Sequence, residues 1–177
     1  MPAHRESRRM AHAPEQLFDL VADVGRYPDF LPWVVATRIR DRTPAGFTAD
    51  MVVGFRMLRE RFTSRVTLDR PRLVHVDYVT GPLKYLKNDW GFRPAPEGGT
   101  IVDFAVEFEF RNPLFQKVAG AFFHEAFRSM VAAFERRACA LYGAGVPCPP
   151  SVPLPASGAA VAAAPSGSSS DNATSAA

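Results

Sequence analysis

The segment Val102-Asp-Phe-Ala-Val-Glu-Phe-Glu-Phe-Arg-Asn-Pro-Leu114 decides the fold, because it joins an amphipathic strand to the start of a helix. Large apolar side chains alternate with small or acidic ones from Val102 to Phe110, which is the pattern of a strand with one buried face. Asn112 is a preferred N-cap residue, and Pro113 is a preferred first residue of a helix. The segment therefore predicts a strand, a short turn and a helix.

The helix that follows is long and amphipathic. Apolar residues recur at helical spacing from Phe115 to Leu141, and thirty helical residues span about 45 Å. A helix of that length crosses a whole sheet. It is expected to lie over the apolar face of the preceding strand.

The chain before this segment supplies the rest of the sheet. Residues 4–10 predict a short strand, and residues 13–23 predict an amphipathic helix with Pro and Glu in its first turn. The Pro-rich stretch 27–33 predicts a loop or a helical turn. From Val35 the apolar period changes to two, and short turns separate the strands. The order predicts an α+β fold in which one long helix lies across a seven-stranded antiparallel sheet.

Composition divides the chain into two parts. All 20 aromatic residues lie in residues 1–142, whereas 27 of the 35 residues in 143–177 are Pro, Ala, Gly or Ser. We therefore predict one folded domain, 1–142, and a disordered tail, 143–177. The two cysteines are too few for a disulfide framework, and neither a signal peptide nor a membrane span is evident. These features favour a cytoplasmic protein.

Known catalytic motifs are incomplete. His124-Glu125 begins like a zinc-binding HExxH motif, but Arg128 occupies the second ligand position. Cys139 has no histidine placed beside it by the sequence, and Glu107 with Glu109 fits the solvated side of a strand. The inward faces carry few polar candidates. We therefore expect no catalytic residue, no metal and no enzymatic activity.

The chain from Arg38 to Arg72 is basic, with nine arginines against four acidic residues. The predicted strands place Arg38, Arg40 and Arg42 on one face, and Arg61 with Arg65 on another. Two interpretations stay open. The arginines either serve solubility and pair with acids across strands, or they form a surface for anionic lipid or RNA phosphate.

The aromatic surplus also has two interpretations. Phe104, Phe108 and Phe110 share the inward face of the last strand, and Phe115, Phe122 and others lie on the helix above it. Such side chains either fill a core or line a cavity for an apolar small molecule. Composition alone favours neither.

Three segments resemble the coenzyme Q-binding START-like family, which is grouped with polyketide cyclase/dehydrase-like proteins and with ribosome-association toxins. They are Asp23–Trp33, Gly81–Phe92 and Val106–Leu114. The resemblance extends over about residues 3–142. It implies a helix-grip fold, in which a seven-stranded antiparallel sheet wraps around a long C-terminal helix, with a hydrophobic cavity between them.

The resemblance also implies a set of ligand-binding residues. At the mouth or lid of the cavity it places Tyr27, Pro28, Phe30, Leu31, Pro32 and Trp33. From the second segment it adds Pro82, Leu83, Leu86, Trp90 and Phe92. The periodicity of the faces adds the interior residues Phe104, Val106, Phe108, Phe122 and Met130. With Phe30, Leu31 and Trp33 pointing outward, the 27–33 loop is expected to touch a membrane surface transiently.

The function that this resemblance implies is non-catalytic binding of ubiquinone, or a similar polyprenyl lipid, by a carrier or chaperone that supports respiratory electron transport. Ubiquinone is then a bound ligand rather than a cofactor, and the protein is expected to be peripheral to the inner membrane. A first alternative is a toxin-like inhibitor of translation that binds the ribosome through the basic strands. A polyketide cyclase or dehydratase is a second alternative, and DNA is not an expected partner.

Overall fold

A computed structural model describes residues 3–55, 58–143 and 153–154. The elements follow one another as β1 (Ala3–Met10), α1 (Pro14–Ala22), a 3-10 turn (Val24–Arg26), α2 (Tyr27–Phe30), β2 (Val34–Thr43), β3 (Gly46–Phe55), β4 (Leu58–Asp69), β5 (Leu73–Thr80), β6 (Leu83–Pro94), β7 (Thr100–Phe110), α3 (Pro113–Tyr142) and β8 (Pro153–Leu154). The predicted strand, helix, six strands and long helix are all present. The tail predicted for 143–177 lies outside the described residues, apart from Gly143 and the two residues of β8.

One antiparallel sheet contains all the strands that the structure describes. Its order is β2-β3-β4-β5-β6-β7-β1-β8, so six consecutive strands form a meander and β1 adds antiparallel beside β7. Pairs such as Glu6 with Phe104 fix the β1–β7 register. The two residues of β8 pair with Ser7 and Arg8 of β1. The prediction of a seven-stranded antiparallel sheet with a long C-terminal helix is confirmed, and β8 is a short addition at its edge.

The decisive segment folds as its sequence predicts. Alternate residues of β7 from Thr100 to Phe108 are buried. The Asn112 side chain accepts a hydrogen bond of 2.9 Å from the Leu114 N–H and caps α3. This cap satisfies one of the amide groups that a helix start leaves without an intrahelical partner. The sharp turn at Asn112 thus directs α3 back over the inner face of the sheet.

The main core lies under the C-terminal half of α3. All fully buried side chains of the helix, namely Phe127, Ala133, Phe134 and Ala138, occur at or beyond its midpoint. They pack with α1 and with inward residues of the sheet, including Phe18 and Val74. The residues of α3 before Phe127 contribute none of the fully buried side chains. Because the buried side chains lie toward the C-terminal end of α3, the helix is packed closely on the sheet there and less closely near its start.

Arg42 does not share the outer face of Arg38 and Arg40, so that part of the prediction is wrong. Asp41 has a φ of 51°, and the β2–β3 register shifts between Arg40 and Thr43. This irregularity reverses the alternation of side chains. The Arg42 guanidinium consequently lies 5.4 Å from the centre of the Phe47 ring, which belongs to the core.

Within the described residues, no helix combines the length and the apolar character needed to cross a bilayer.

Candidate functional site

A cavity of about 320 Å³ separates the N-terminal half of α3 from the sheet. Strands β3, β4, β6 and β7 supply its floor, and the residue before β2 and the β5–β6 turn supply its sides. The residues that line it are Trp33, Val53, Gly54, Glu60, Phe62, Pro82, Leu83, Leu86, Phe108, Phe110, Phe115, Val118, Ala119, Phe122, Phe123 and Ala126. Its wall is almost entirely apolar. A concave apolar site of this volume is typical of small-molecule binding.

The structure brings six of the sixteen predicted ligand-binding residues to this cavity. They are Trp33, Pro82, Leu83, Leu86, Phe108 and Phe122. The predicted hydrophobic cavity between sheet and helix is therefore present, and it lies nearer the start of α3 than expected. Sequence reasoning missed the α3 side chains around Phe115 and Ala119 as wall residues, although their helical spacing places them on the face of Phe122.

Three more predicted residues line a separate cavity of about 40 Å³, namely Trp90, Phe104 and Met130. Phe104 does not border the larger space, because its ring packs against Trp90 at 4.6 Å and against Phe127 at 5.1 Å between ring centres. Val106 is buried in the cluster around Phe127. Of the five predicted interior residues, only Phe108 and Phe122 therefore line the large cavity.

The 27–33 loop does not present its apolar side chains to solvent, and that prediction is wrong. Leu31 is buried in the core, and the Phe30 ring packs on Phe134 at 5.1 Å between ring centres. The Tyr27 hydroxyl donates a 2.5 Å hydrogen bond to the Val21 carbonyl, and burial raises the pKa of this phenol above its usual range. These contacts fold the single turn of α2 inward.

The two prolines of this loop and the last aromatic residue of the second segment also lie away from the large cavity. Pro32 is exposed, Pro28 is half-buried, and neither borders the cavity wall. Phe92 is buried under α1, where its ring meets Phe18 at 5.9 Å. Of the 27–33 loop, only Trp33 therefore borders the large cavity.

Strand β1 carries an inward polar network that the sequence analysis did not anticipate. His4, Glu6 and Arg8 alternate onto its inner face. Arg8 contacts Glu6 at 2.7 Å and donates to Glu135 of α3 at 3.1 Å, while His4 contacts Glu6 at 3.4 Å and packs its ring on Phe127. The period-two pattern of residues 4–10 was the sequence signal that could have indicated this inward face. The charged groups are paired with one another, which ties β1 to α3.

Glu60 is an inward polar residue of β4, and sequence reasoning missed it as a site residue. It pairs with Val53 across β3 and β4, and both residues line the large cavity. Extending the alternation of β4 by one step before Phe62 would have placed it on the inner face. Among the described residues that line this cavity, Glu60 alone carries an ionisable side chain.

The outer face of β2, β3 and β4 is basic. The exposed arginines of this basic face are Arg38, Arg40, Arg59, Arg61 and Arg65. Within the described residues, only Arg40 among them lies within ion-pair distance of a carboxylate, that of Asp50 at 2.8 Å. Hydrogen bonds from Arg40 and Thr63 lower the pKa of Asp50 to about 2. The local excess of positive charge is therefore fixed over the whole physiological pH range.

The histidines do not assemble a metal site in the part of the chain that the structure describes. No group of three or more His, Cys, Asp or Glu side chains there is arranged to hold a metal ion. His75 instead lies on the outer face of β5 between two carboxylates, those of Asp77 at 3.0 Å and Asp89. The hydrogen bond with Asp89 raises the pKa of His75.

An antiparallel sheet wrapped on one long C-terminal helix, with an apolar cavity between the two, defines the START-like class of helix-grip proteins. Residues 10–135 match the family described as polyketide cyclase / dehydrase and lipid transport, and the chain belongs to that family.

Curated relatives include proteins named for ribosome association and for coenzyme Q binding. A ribosome association toxin, RatA, from Rickettsia prowazekii is 33% identical over 142 residues, which cover 78% of this chain and 97% of that protein. The mitochondrial coenzyme Q-binding protein COQ10 of Drosophila melanogaster is 37% identical over 118 residues, which cover 64% of this chain and 49% of that protein. Neither name is that of an enzyme.

Solved structures agree on the fold. An 18 kDa protein from Caulobacter crescentus is 36% identical, with a TM-score of 0.67 over 81% of this chain and 99% of that one. An aromatase/cyclase from Streptomyces sp. R1128 has a TM-score of 0.71 at 16% identity, over 82% of this chain and 99% of that one. The fold therefore occurs in an aromatase/cyclase, whereas the two relatives above have names that are not those of enzymes.

Proposed function

We propose that this protein binds ubiquinone, or a polyprenyl quinone like it, in the cavity under α3, and that it acts as a carrier or chaperone that supports respiratory electron transport. The observation that carries the proposal is the apolar cavity of about 320 Å³ between the start of α3 and the sheet. The 37% identity to a coenzyme Q-binding protein supports this choice of ligand.

The walls suit a ligand that is mostly hydrocarbon. Burial of apolar surface contributes about 25 cal/mol per Å², so the phenylalanines around Phe108 and Phe122 provide affinity without a formal charge. The volume is at the lower end of the range for ligand pockets, which begins at about 300 Å³. It suits a quinone ring and the first part of a chain. A carrier of such a lipid must also meet the bilayer, so transient membrane contact stays part of the proposal.

The polar network on β1 supports a structural role rather than a catalytic one for its charged groups. Arg8 pairs with both Glu6 and Glu135, and Glu6 and Arg8 line the small cavity rather than the large one. A general acid or base must reach its substrate within hydrogen-bonding distance. The polar groups on β1 therefore serve the attachment of the helix.

Lipid extraction tests the proposal directly. The protein would be purified from a ubiquinone-producing bacterial host, extracted with organic solvent, and its quinone content measured by chromatography. We expect near-stoichiometric quinone in the wild type and little in Ala126→Phe, whose ring would occupy the cavity. Ala121→Phe is the matched control, because Ala121 is exposed on the same stretch of helix.

The proposal fails if the wild type contains no quinone and added quinone does not bind. It also fails if Ala126→Phe, folded as judged by its circular dichroism spectrum, retains as much quinone as Ala121→Phe. The two variants make the same change in helix propensity, so a difference between them reports on the cavity.

A second candidate function is association with the ribosome through the basic face. Its specific support is the exposed set Arg38, Arg61 and Arg65, which has no ion-pair partner within the described residues. The similarity to a ribosome association toxin covers 97% of that protein. Clustered arginines bind RNA phosphates through release of counterions, and such binding weakens steeply as salt rises.

Co-sedimentation with purified ribosomal subunits tests this candidate. Reversal of Arg38, Arg61 and Arg65 to Glu is expected to abolish co-sedimentation, and added salt is expected to weaken it. Arg5→Glu is the control, because Arg5 is exposed on β1 at the other side of the sheet. Binding that survives the triple reversal would exclude the basic face as the contact surface.

A further inference from the structure

Glu60 is placed by the sheet so that its side chain faces the large cavity. Side chains alternate along β4, and Phe62, two residues further on, also lines the cavity. Arg59 and Arg61 are exposed on the other face. Across the ladder Glu60 pairs directly with Val53, another wall residue. Directly paired residues of antiparallel strands have Cβ atoms about 5 Å apart on the same face. The half-buried Glu60 side chain is therefore part of the wall.

Its surroundings make this carboxylate unusual. The wall beside it is formed by Val53, Gly54 and Trp33. The Gly54 N–H donates a 2.8 Å hydrogen bond to the Trp33 carbonyl, which holds the residue before β2 beside the end of β3, and β3 pairs there with β4. In the part of the chain that the structure describes, no Lys, Arg or His lies within ion-pair distance of Glu60. A carboxylate on an apolar wall that loses water without gaining a donor is costly. A well-matched ligand therefore brings a hydrogen-bond donor.

A quinone ring supplies a hydrogen-bond donor in only one of its two redox states, the reduced one. An oxidised quinone has two carbonyl oxygens, which accept hydrogen bonds and do not donate. The reduced quinol carries a hydroxyl at each of those positions, and a hydroxyl donates. An ionised carboxylate only accepts. It therefore forms a charge-assisted hydrogen bond with the quinol and opposes the carbonyl dipole of the quinone.

We propose that Glu60 makes the cavity selective for the reduced, quinol form of its ligand over the oxidised quinone. This inference rests on the proposed function, because it concerns the same cavity and the same ligand class. A hydrogen bond to a charged group is strong enough to change an equilibrium by about tenfold or more. We therefore expect the dissociation constant of the quinol to be at least about tenfold lower than that of the quinone.

The test compares both redox forms on the full chain. A ubiquinone with two isoprene units would be used oxidised, and also reduced under anaerobic conditions, with binding measured by equilibrium dialysis and chromatography of the free ligand. Glu60→Gln keeps the size of the side chain and provides an amide that both donates and accepts. In this variant we expect weaker binding of the quinol, stronger binding of the quinone and a ratio near one. Glu97→Gln is the control, since Glu97 is exposed in the β6–β7 turn.

Four outcomes distinguish the selectivity for the quinol from the proposed binding of a quinone. Selective binding of the quinol by the wild type and by Glu97→Gln, lost in Glu60→Gln, supports the inference. Equal binding of both forms by the wild type overturns it and leaves the proposed function standing. Selectivity that persists in Glu60→Gln also overturns it, because another group must then discriminate. Failure of the wild type to bind either form overturns the proposed function and this inference together.

Discussion

Replacement of Ala119 by Leu tests whether the cavity under α3 is empty enough to hold a larger apolar side chain. Ala119 lies on the cavity wall, and leucine adds three carbon atoms to its side chain. Burial of each is worth about 0.8 kcal/mol, or about 2.4 kcal/mol in all. Ordering a leucine side chain costs about 0.5 to 1 kcal/mol, and the two residues differ little in helix propensity. The net gain in the free energy of unfolding is then about 1.5 kcal/mol.

The assay is thermal unfolding of the ligand-free protein, followed by circular dichroism. In a chain of this size about 1 kcal/mol shifts the melting temperature by about 2 to 4 °C, so Ala119→Leu is expected to raise it by about 5 °C. Ala121→Leu makes the same change on the exposed side of the helix and should leave it nearly unchanged. If Ala119→Leu lowers the melting temperature, the side chain has met a filled site, and the reasoning is refuted.

Three further predictions concern stability. The pKa of His75 is raised in the folded protein, so its stabilisation is complete below the unfolded pKa of about 6.5 and is lost as pH rises through the higher folded value. In urea titrations His75→Gln should therefore destabilise the protein more at about pH 5 than at about pH 9, and an equal effect at both would contradict this. Asn112→Ala removes the N-cap of α3 and should lower the free energy of unfolding by about 1 kcal/mol, by urea denaturation. At Gly99, with φ of 78°, an added Cβ would lie 2.3 Å from the Met10 carbonyl oxygen, whereas at Gly98 it meets nothing within 4 Å. Gly99→Ala should therefore lower the melting temperature more than Gly98→Ala, and the reverse order would show that the backbone contact does not matter.

The sequence predicted the fold because its signals were local. The alternation in β7, the Asn112 cap and the period-two strands each depend on residues close together in the chain. Antiparallel neighbours joined by short turns then follow in spatial order, as they do from β2 to β7. The bulge at Asp41 was not visible, because nothing in its residue type requires the positive φ that moves Arg42 off the face of Arg38 and Arg40.

The site was less predictable because it depends on where packing stops. Phenylalanines occur in both halves of α3, from Phe115 to Phe134, so periodicity shows which face is inward but not which half leaves a space. Phe104 and Phe108 are equivalent by pattern, yet only Phe108 borders the large cavity. The sequence predicts Leu31 as an exposed loop residue, but it is buried because α2 packs against Phe134. These outcomes are set by contacts distant in sequence.

The uneven burial of α3 has a consequence for how a ligand enters. Beyond Phe127 the helix is anchored by fully buried side chains, whereas its first three turns border the cavity. Local opening is easiest where few apolar contacts must break. We therefore expect the first turns of α3 to open locally while the rest of the domain stays folded. Amide hydrogen exchange should accordingly be fast near Val118, slow near Phe134, and slowed at the fast end by bound ligand.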